Sequence, residues 1–277
     1  MKTLSVIGAG KVGKVLSKVW REHGVFQTGQ ILNRSAVSAA QAVSFIGAGE
    51  ALSDVRQLQA ADVWMLSVAD DQIATAAQIL LASGVLGRGD LVFHCSGAKA
   101  STELQALHAA GVVIASLHPV RSFADVAQSF RSFGGTICSI EGDAAALAIL
   151  DAALTAVQAQ AVRIHADVKL VYHAASVMAS NYLVSLMDVA LQAYQAAGIP
   201  HETAKAMAAP LARQSLENAF ALGTERALTG PIARGDMQLV EQQAAAVAQW
   251  DAIAGDLYRS FVPPTLALAA RQHHSEK

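Results

Sequence analysis

Only two cysteines, Cys95 and Cys138, occur in the 277 residues. That number supports no disulfide framework, and in a reducing compartment both thiols are expected to behave as buried hydrophobes. Neither a Cys-x-x-Cys pair nor a His-Glu-x-x-His run is found, so no metal site is expected. Aromatic residues are few, 5% against 53% hydrophobic overall. A balance so rich in Ala, Val and Leu suits tightly packed helices and buried parallel strands. There is no excess of basic charge: 20 Lys+Arg stand against 22 Asp+Glu, which excludes the positive field that holds a nucleic-acid backbone. The amino terminus runs from Met1-Lys2 into a short apolar strand and then glycines. That pattern does not fit a signal peptide, so a cytoplasmic location is expected. The most apolar helical stretch, residues 170–197, is interrupted by His173, Ser176, Ser180, Asn181, Ser185 and Asp188. It is expected to be a core helix rather than a membrane span, which needs about 20 nearly uninterrupted apolar residues.

What the sequence does have is alternation. Short β-branched runs at 4–7, 29–32, 63–68, 91–95 and 112–117 are separated by amphipathic stretches, which predicts a doubly wound, mainly parallel α/β sheet of the Rossmann kind. Residues 136–140 and 161–164 are further short strand candidates flanking a helix near 143–157, with their place in the sheet left open. Beyond Asp167 the strands stop. Residues 167–197, 202–222, 237–247 and 250–269 read as helices, divided by Gly198-Ile199-Pro200, by the Gly/Pro-containing segment 223–236 and by Gln249. The expected organisation is a Rossmann domain over 1–166 and an all-helical substrate or dimerisation domain over 167–277. The polar tail, with His273 and His274, is expected to be frayed and solvated.

The first strand ends in Gly8-Ala9-Gly10-Lys11-Val12-Gly13, and a helical pattern follows. G-x-G-x-x-G in that strand-turn-helix context is the dinucleotide fingerprint: a glycine for the turn, one for close approach to the pyrophosphate, and one for helix–sheet packing. Twenty residues past Gly13, where an NAD-binding fold commonly offers a carboxylate to the ribose, the chain has Asn33-Arg34-Ser35. A carboxylate would repel the extra phosphate of NADP, whereas Arg34 can pair with it and Ser35 can donate to it, so NADP(H) is the expected cofactor. The alternative is that Arg34 is an ordinary surface arginine. Strand ends at Ser67-Val68-Ala69 and at Ser96-Gly97 are expected to border the cofactor, because such sheets bind ligands outside the carboxyl ends of their strands, and Ser96 is expected to contact the substrate as well.

Reducing a carbonyl or imine needs a proton donor beside the hydride donor. On the helix from 167, Lys169, His173, Ser176 and Ser180 fall within a stripe about 60° wide, whereas Asn181, Ser185, Asp188, Gln192 and Gln195 cluster about 120° away. The first stripe lines a cleft, with Lys169 or His173 as acid/base and Asn181 orienting the substrate, or else Lys169 is a plain surface residue. His118, in His118-Pro119-Val120-Arg121-Ser122-Phe123, is a second cleft-edge candidate or else a satisfied loop histidine. Arg234, in a turn-rich loop ending at Asp236, is a candidate anchor for an anionic substrate.

Taken together, Gly8-x-Gly10-x-x-Gly13, Ser67-Val68-Ala69-Asp70-Asp71, His94-Cys95-Ser96-Gly97, His118-Pro119-x-x-Ser122-Phe123, Lys169-x-x-Tyr172-His173-Ala174-Ala175, Ser180-Asn181 and the run from Leu228 to Asp236 resemble a bacterial family. It pairs a Rossmann-like domain with a helical domain of undefined function. Its N-terminal half is similar to deazaflavin-dependent NADP oxidoreductases and pyrroline-5-carboxylate reductases, and its architecture is similar to 6-phosphogluconate and 3-hydroxyisobutyrate dehydrogenases. The latter carry a catalytic Lys on the first long helix of the second domain, with an Asn four residues on. Lys169 matches the Lys and His173 stands in the Asn position. The resemblance implies an NADP(H)-dependent oxidoreductase acting on a small polar carbonyl, hydroxyl or imine compound, with helical domains that pack into a homodimer. The competing expectation is an NADP-responsive regulator without chemistry.

Overall fold

The computed structural model describes residues 1–275, with side chains through Gln272, so the expectation for His273 and His274 lies outside the described side chains. The chain divides into two compact units, Met1–Ser180 and Asn181–Lys277.

The first unit is built on one eight-stranded sheet. In chain order it runs β1 (Thr3–Ile7), α1 (Lys11–Glu22), β2 (Gln27–Leu32), α2 (Ala36–Ile46), β3 (Glu50–Leu52), β4 (Val63–Leu66), α3 (Ile73–Ala82), β5 (Leu91–His94), 3-10 turns over Ser101–Ala110, β6 (Val113–Pro119), α4 (Val126–Arg131), β7 (Ile137–Gly142), α5 (Ala144–Thr155), β8 (Gln160–Arg163) and α6 (Lys169–Ala179). The sheet order β3-β2-β1-β4-β5-β6-β7-β8 contains the 3-2-1-4-5-6 winding of the Rossmann fold. Strands β1 to β6 are parallel, and β7 returns antiparallel to β6. The expected mainly parallel sheet is therefore present, and the candidates near 136 and 161 take its far edge. The three-residue edge strand β3 was not foreseen.

The central strands are buried on both faces, and their side chains divide by the period of two. Val63 and Met65 of β4, with Leu91 and Phe93 of β5, pack beneath Leu16, Val19 and Trp20 of α1 and Leu150 and Leu154 of α5. Trp64 and Leu66, with Val92, face Ile73 and Leu80 of α3 and Leu104 and Leu107 on the other side. Two apolar layers covering both sheet faces explain why these strands read as continuous hydrophobic runs.

The antiparallel return of β7 sets the register that matters below. Ser116 lies opposite Glu141 and His118 opposite Ser139. Residues two apart share a sheet face, so Ser116 and His118 present their side chains together.

The single helix expected over 167–197 is corrected by the structure. A 3-10 turn (Ala166–Val168) leads into α6, which ends at Ser180 (φ -127, ψ -73), and α7 (Asn181–Ala196) starts afresh in the second unit. Ser and Asn side chains compete with the helix for backbone hydrogen bonds, which suits them to such a break. The expectation of a core helix is corrected too. The stretch Ala166–Ala196 reaches the length and mean hydropathy (1.4) of a membrane span, yet Leu170, Val171, Met178, Tyr182 and Val184 are exposed.

The second unit continues with α8 (His201–Leu222), α9 (Thr224–Ala227), α10 (Met237–Trp250) and α11 (Ala252–Ser275). Among its described residues the fully buried apolar side chains are small or few: Ala204, Val240, Ala244, Ala254 and Ala269. Phe220 is 88% and Ile253 82% exposed. An open apolar groove of about 800 Å³ runs between helices of this unit, lined by Val189, Tyr194, Ile232, Trp250, Leu257 and Phe261 among others.

Candidate functional site

At the carboxyl end of β1 the chain turns at Gly8, whose φ of +82 admits glycine and whose missing Cβ would stand 2.5 Å from Val68 Cγ1. Gly13 packs on Ser67, where a Cβ would lie 3.1 Å from the side chain. Ser67 and Val68 thus sit directly against the glycine loop, with Ala69 exposed beside them. Gly10 differs: nothing lies within 4 Å of the Cβ position except Gly8 O at 4.0 Å. Gly10 also heads α1 without a side-chain cap. The result is an open cradle at the positive end of a helix, where a pyrophosphate fits. Lys11 is tethered by its Nζ to Ala124 O, 3.1 Å, and Val12 is half-buried.

Asn33, at the end of β2, accepts a hydrogen bond from Ala9 N at 2.7 Å through its buried side-chain oxygen. Its role in the structure is to hold the glycine loop. Arg34 is exposed next to it. Ser35 N-caps α2, accepting from Ser38 N at 3.2 Å and donating to Ser38 Oγ at 3.0 Å. A guanidinium, two hydroxyls and a helix N-terminus are thereby grouped at the strand end.

A second polar cluster lies at the carboxyl ends of β5 and β6, under α6. Lys169 is only 1% exposed, and its Nζ donates to Ser116 Oγ (2.5 Å) and Ser96 O (3.3 Å) and pairs with Glu141 at 3.5 Å. The Glu141 carboxylate also accepts from Ser101 N and Ser101 Oγ, both at 2.7 Å. Burial pulls the Lys169 ammonium below its usual value, and the Glu141 charge opposes that shift. Every donor of Lys169 is thus committed, and the residue stitches α6 to three strand ends.

One turn along α6, Tyr172 Oη lies 2.9 Å from His118 Nδ1. The His118 ring also meets those of Tyr172 and His173 edge-on, with centroids 5.8 and 5.5 Å apart. The two imidazoles crowd Gly97. A Cβ there would stand 2.4 Å from His173 Nδ1 and 2.9 Å from both His118 Cε1 and Nε2, so only glycine lets the two imidazoles close on the backbone. His173 Nδ1 is buried without a hydrogen-bond partner. Burial, then the neighbouring His173 and Lys169 charges, push the His118 imidazole down to about 4, with Asp70 opposing. Burial raises the Tyr172 phenol, partly offset by the Ser139 hydroxyl. His118, expected just after its strand, lies within β6.

The remaining expected site residues are placed differently. Ser96 Oγ accepts from Ala98 N and Lys99 N, 3.1 and 2.9 Å, closing the turn after β5. His94 is buried, its Nδ1 accepting from Ser96 N, and burial lowers its pKa. Ser180 ends α6 and is exposed, so the polar stripe of α6 that faces the sheet is Lys169, Tyr172 and His173, at i, i+3 and i+4. Asn181 and Arg234 belong to the second unit and are exposed there. Both cysteines are free, and burial lifts each thiol to about 12, which makes them inert. Among the described residues no group of three or more His, Cys, Asp or Glu is placed to hold a metal. Tyr172, Ser116 and Glu141 were not singled out from sequence as site residues. The available signals were an acid inside the mostly apolar β7, and Ser and His two apart on β6.

Comparison with known proteins agrees with this architecture. Residues 2–119 match the model of a Rossmann-like domain, and residues 136–263 match that of a domain of unknown function, DUF2520. No curated protein matches the sequence. A solved structure from Thermotoga maritima is 25% identical, with a TM-score of 0.74, over 98% of this chain and 99% of that one. A candidate NADP oxidoreductase from Bacteroides fragilis is 18% identical (TM-score 0.79; 96% and 98% covered). An imine reductase from Myxococcus stipitatus, solved with NADP+, is 16% identical (TM-score 0.65; 99% and 94% covered). Likeness at these last two identities shows the shared fold.

Proposed function

We propose that this chain, a Rossmann-like domain joined to a domain of unknown function, is an NADP(H)-dependent oxidoreductase of a small polar carbonyl, hydroxyl or imine compound. The observation that carries this reading is the pairing of two sites on one sheet edge. The open glycine cradle lies at the end of β1, and two imidazoles converge on Gly97 at the end of β5. Only β4 separates those strands, a distance of about 10 Å across the sheet. A dinucleotide lying along the carboxyl ends spans such a distance. Gly8, Ala9, Gly10, Lys11, Val12 and Gly13 would hold the pyrophosphate. Arg34 and Ser35 would hold the additional phosphate, with Asn33 fixing the loop, and Ser67, Val68, Ala69 and Gly97 would form the wall. The cofactor, when bound, supplies the hydride.

The protein's own part is acid/base and positional. His118 and His173 are the groups placed to contact a substrate, whereas Lys169 acts through the helix that carries Tyr172 and His173. The absence of a carboxylate after β2 favours NADP over NAD, and neighbours of the same fold whose names carry NADP support the choice. A non-catalytic regulator would have no need of two imidazoles packed against glycine.

Calorimetric titration of the protein with NADPH and NADH tests the reading. NADPH should bind at least about tenfold more tightly, a difference of roughly 1.4 kcal/mol, and Arg34→Ala should erase most of that preference. Tighter binding of NADH would refute the NADP assignment, and failure of both to bind would refute the oxidoreductase.

The same reading takes the chain as a homodimer, supported by its surface. In the second unit Phe220 and Ile253 are exposed, and apolar side chains of this kind are the surface that an interface would cover.

A further inference from the structure

The chain leaving β5 is tied down at nearly every step. Cys95 N continues the ladder to Leu66 O at 3.3 Å. Ser96 N donates to His94 Nδ1 at 3.2 Å, Ala98 N and Lys99 N donate to Ser96 Oγ at 3.1 and 2.9 Å, and Ser101 N donates to Glu141 at 2.7 Å. Ser96 O accepts from Ser116 Oγ and Lys169 Nζ, both at 3.3 Å. Ala100 O lies 3.0 Å from His94 Nε2. The His94 ring, 0% exposed, therefore bonds the loop at two points, near its start and near its end. Its Nδ1 takes the amide two residues on, as the side chain of an Asx-turn does.

Those two bonds fix where the ring carries its hydrogen. A backbone N–H can only donate and a carbonyl can only accept. Nδ1 thus presents its lone pair to Ser96 N, and Nε2 carries the hydrogen given to Ala100 O. A second proton would turn Nδ1 into a donor facing a donor. Burial also keeps the ring neutral, with the Ala100 carbonyl opposing. Of the charged groups that bear on it, Lys169 of α6 acts with burial, whereas Glu141 of β7 and Asp70 after β4 act against it.

We infer that His94 is a positioning residue: a neutral imidazole with its hydrogen on Nε2 that holds the Ser96–Gly97 peptide as the wall for the nicotinamide end of the dinucleotide. This rests on the cofactor reading above and adds the residue that sets the wall. The Ser96 amide is the more exacting of the two partners. Ser96 is buried and its N–H has no other acceptor among the described residues, whereas Ala100 O also accepts from Glu103 N at 3.1 Å. A buried donor left unpaired costs more than a carbonyl that keeps one partner, so the loop depends chiefly on Nδ1. His94 touches no cofactor atom in this scheme. Its effect is confined to the nicotinamide end and does not reach the phosphate site at Arg34 and Ser35.

The first test reads the ring itself. Full-length 13C,15N-labelled protein is examined by long-range 1H–15N correlation at neutral pH, with the His94 ring assigned through its own backbone resonances, so that this readout stands whether or not any variant folds. One tautomer is expected, with the hydrogen on Nε2 and the lone pair on Nδ1. A hydrogen on Nδ1, a charged ring or a mixture of tautomers would overturn the inference.

The second test is calorimetric titration of wild type, His94→Asn and His94→Gln with NADPH and with adenosine 2′,5′-bisphosphate, which carries phosphates of the adenosine end and lacks the nicotinamide. Asn keeps an acceptor near the Nδ1 position, and Gln keeps a donor near the Nε2 position. His94→Gln should bind NADPH about tenfold more weakly than wild type, and His94→Asn should stay within about threefold. Both should bind the bisphosphate as wild type does, a split that a general loss of stability would not give. Equal weakening toward both ligands, equal NADPH affinity in all three proteins, or a greater loss in His94→Asn than in His94→Gln would overturn the role of His94 while leaving the cofactor reading intact. A wild type that binds neither ligand would sink the cofactor reading and the wall with it, leaving only the measured tautomer.

Discussion

Removing either partner of the buried Lys169–Glu141 pair should be among the most damaging single changes in the first unit. Lys169 is 1% exposed and Glu141 5%, so Glu141→Gln leaves an ammonium out of water with hydroxyl and carbonyl acceptors but no counter-charge. Breaking such a pair from one side costs about 3–5 kcal/mol. For a unit of this size about 1 kcal/mol lowers Tm by roughly 2–4 °C, which gives an expected fall of about 6–20 °C for Glu141→Gln or Lys169→Met, read by calorimetry or circular dichroism. The double variant should recover much of the loss, because it takes both charges out of the interior together. The two single effects should therefore fail to add by about 2 kcal/mol or more. If Lys169 were a cleft-lining acid/base instead, Lys169→Met would abolish turnover with little change in Tm, and the double variant would be additive. Either result would refute the view that this lysine is a rivet. NADPH affinity should survive in all three proteins, since the Gly8–Gly13 loop makes no contact with the pair.

Gly97→Ala places a methyl 2.4 Å from His173 Nδ1; it should cost about 1–3 kcal/mol and alter the 15N shifts of both His118 and His173, and a neutral effect on both would show that the rings do not close on the backbone as described. The depressed His118 pKa makes stability fall on acidification: between about pH 6.5 and the value of about 4 in the folded state, the unfolded chain takes up a proton that the native ring refuses, and stability lost over that window should approach 3 kcal/mol. His118→Gln should flatten that part of the pH–stability curve, leaving the contribution of His94, and an unchanged slope would show that His118 protonates freely in the fold. Light scattering after gel filtration should give the mass of a dimer, and Phe220→Asp with Ile253→Asp should shift it toward the monomer; a wild-type monomer at micromolar concentration would disprove the proposed covering of the second unit.

The sequence by itself determined the parts of this protein that depend on local chemistry. Val63, Trp64, Met65 and Leu66, a short apolar run in an alternating pattern, read as a strand buried on both faces. The G-x-G-x-x-G spacing after β1 needs no tertiary knowledge, since each glycine answers a requirement within the same turn, and Asn33-Arg34-Ser35 follows at a fixed distance along the chain. What the tertiary structure decided is which side chains meet across long separations. Lys169 reads as a candidate acid because a lysine on a polar helical stripe gives no sign of what it faces. Its burial became visible only when the antiparallel return of β7 set Glu141 opposite Ser116 and beneath α6. His118 and Tyr172 are 54 residues apart and are joined by the same register. The exposure of Leu170 and Val171 could not be read from hydropathy either, because an apolar helix is equally compatible with a core, a membrane or a second copy, and only the packing around it distinguishes a helix that is already covered from one that is not.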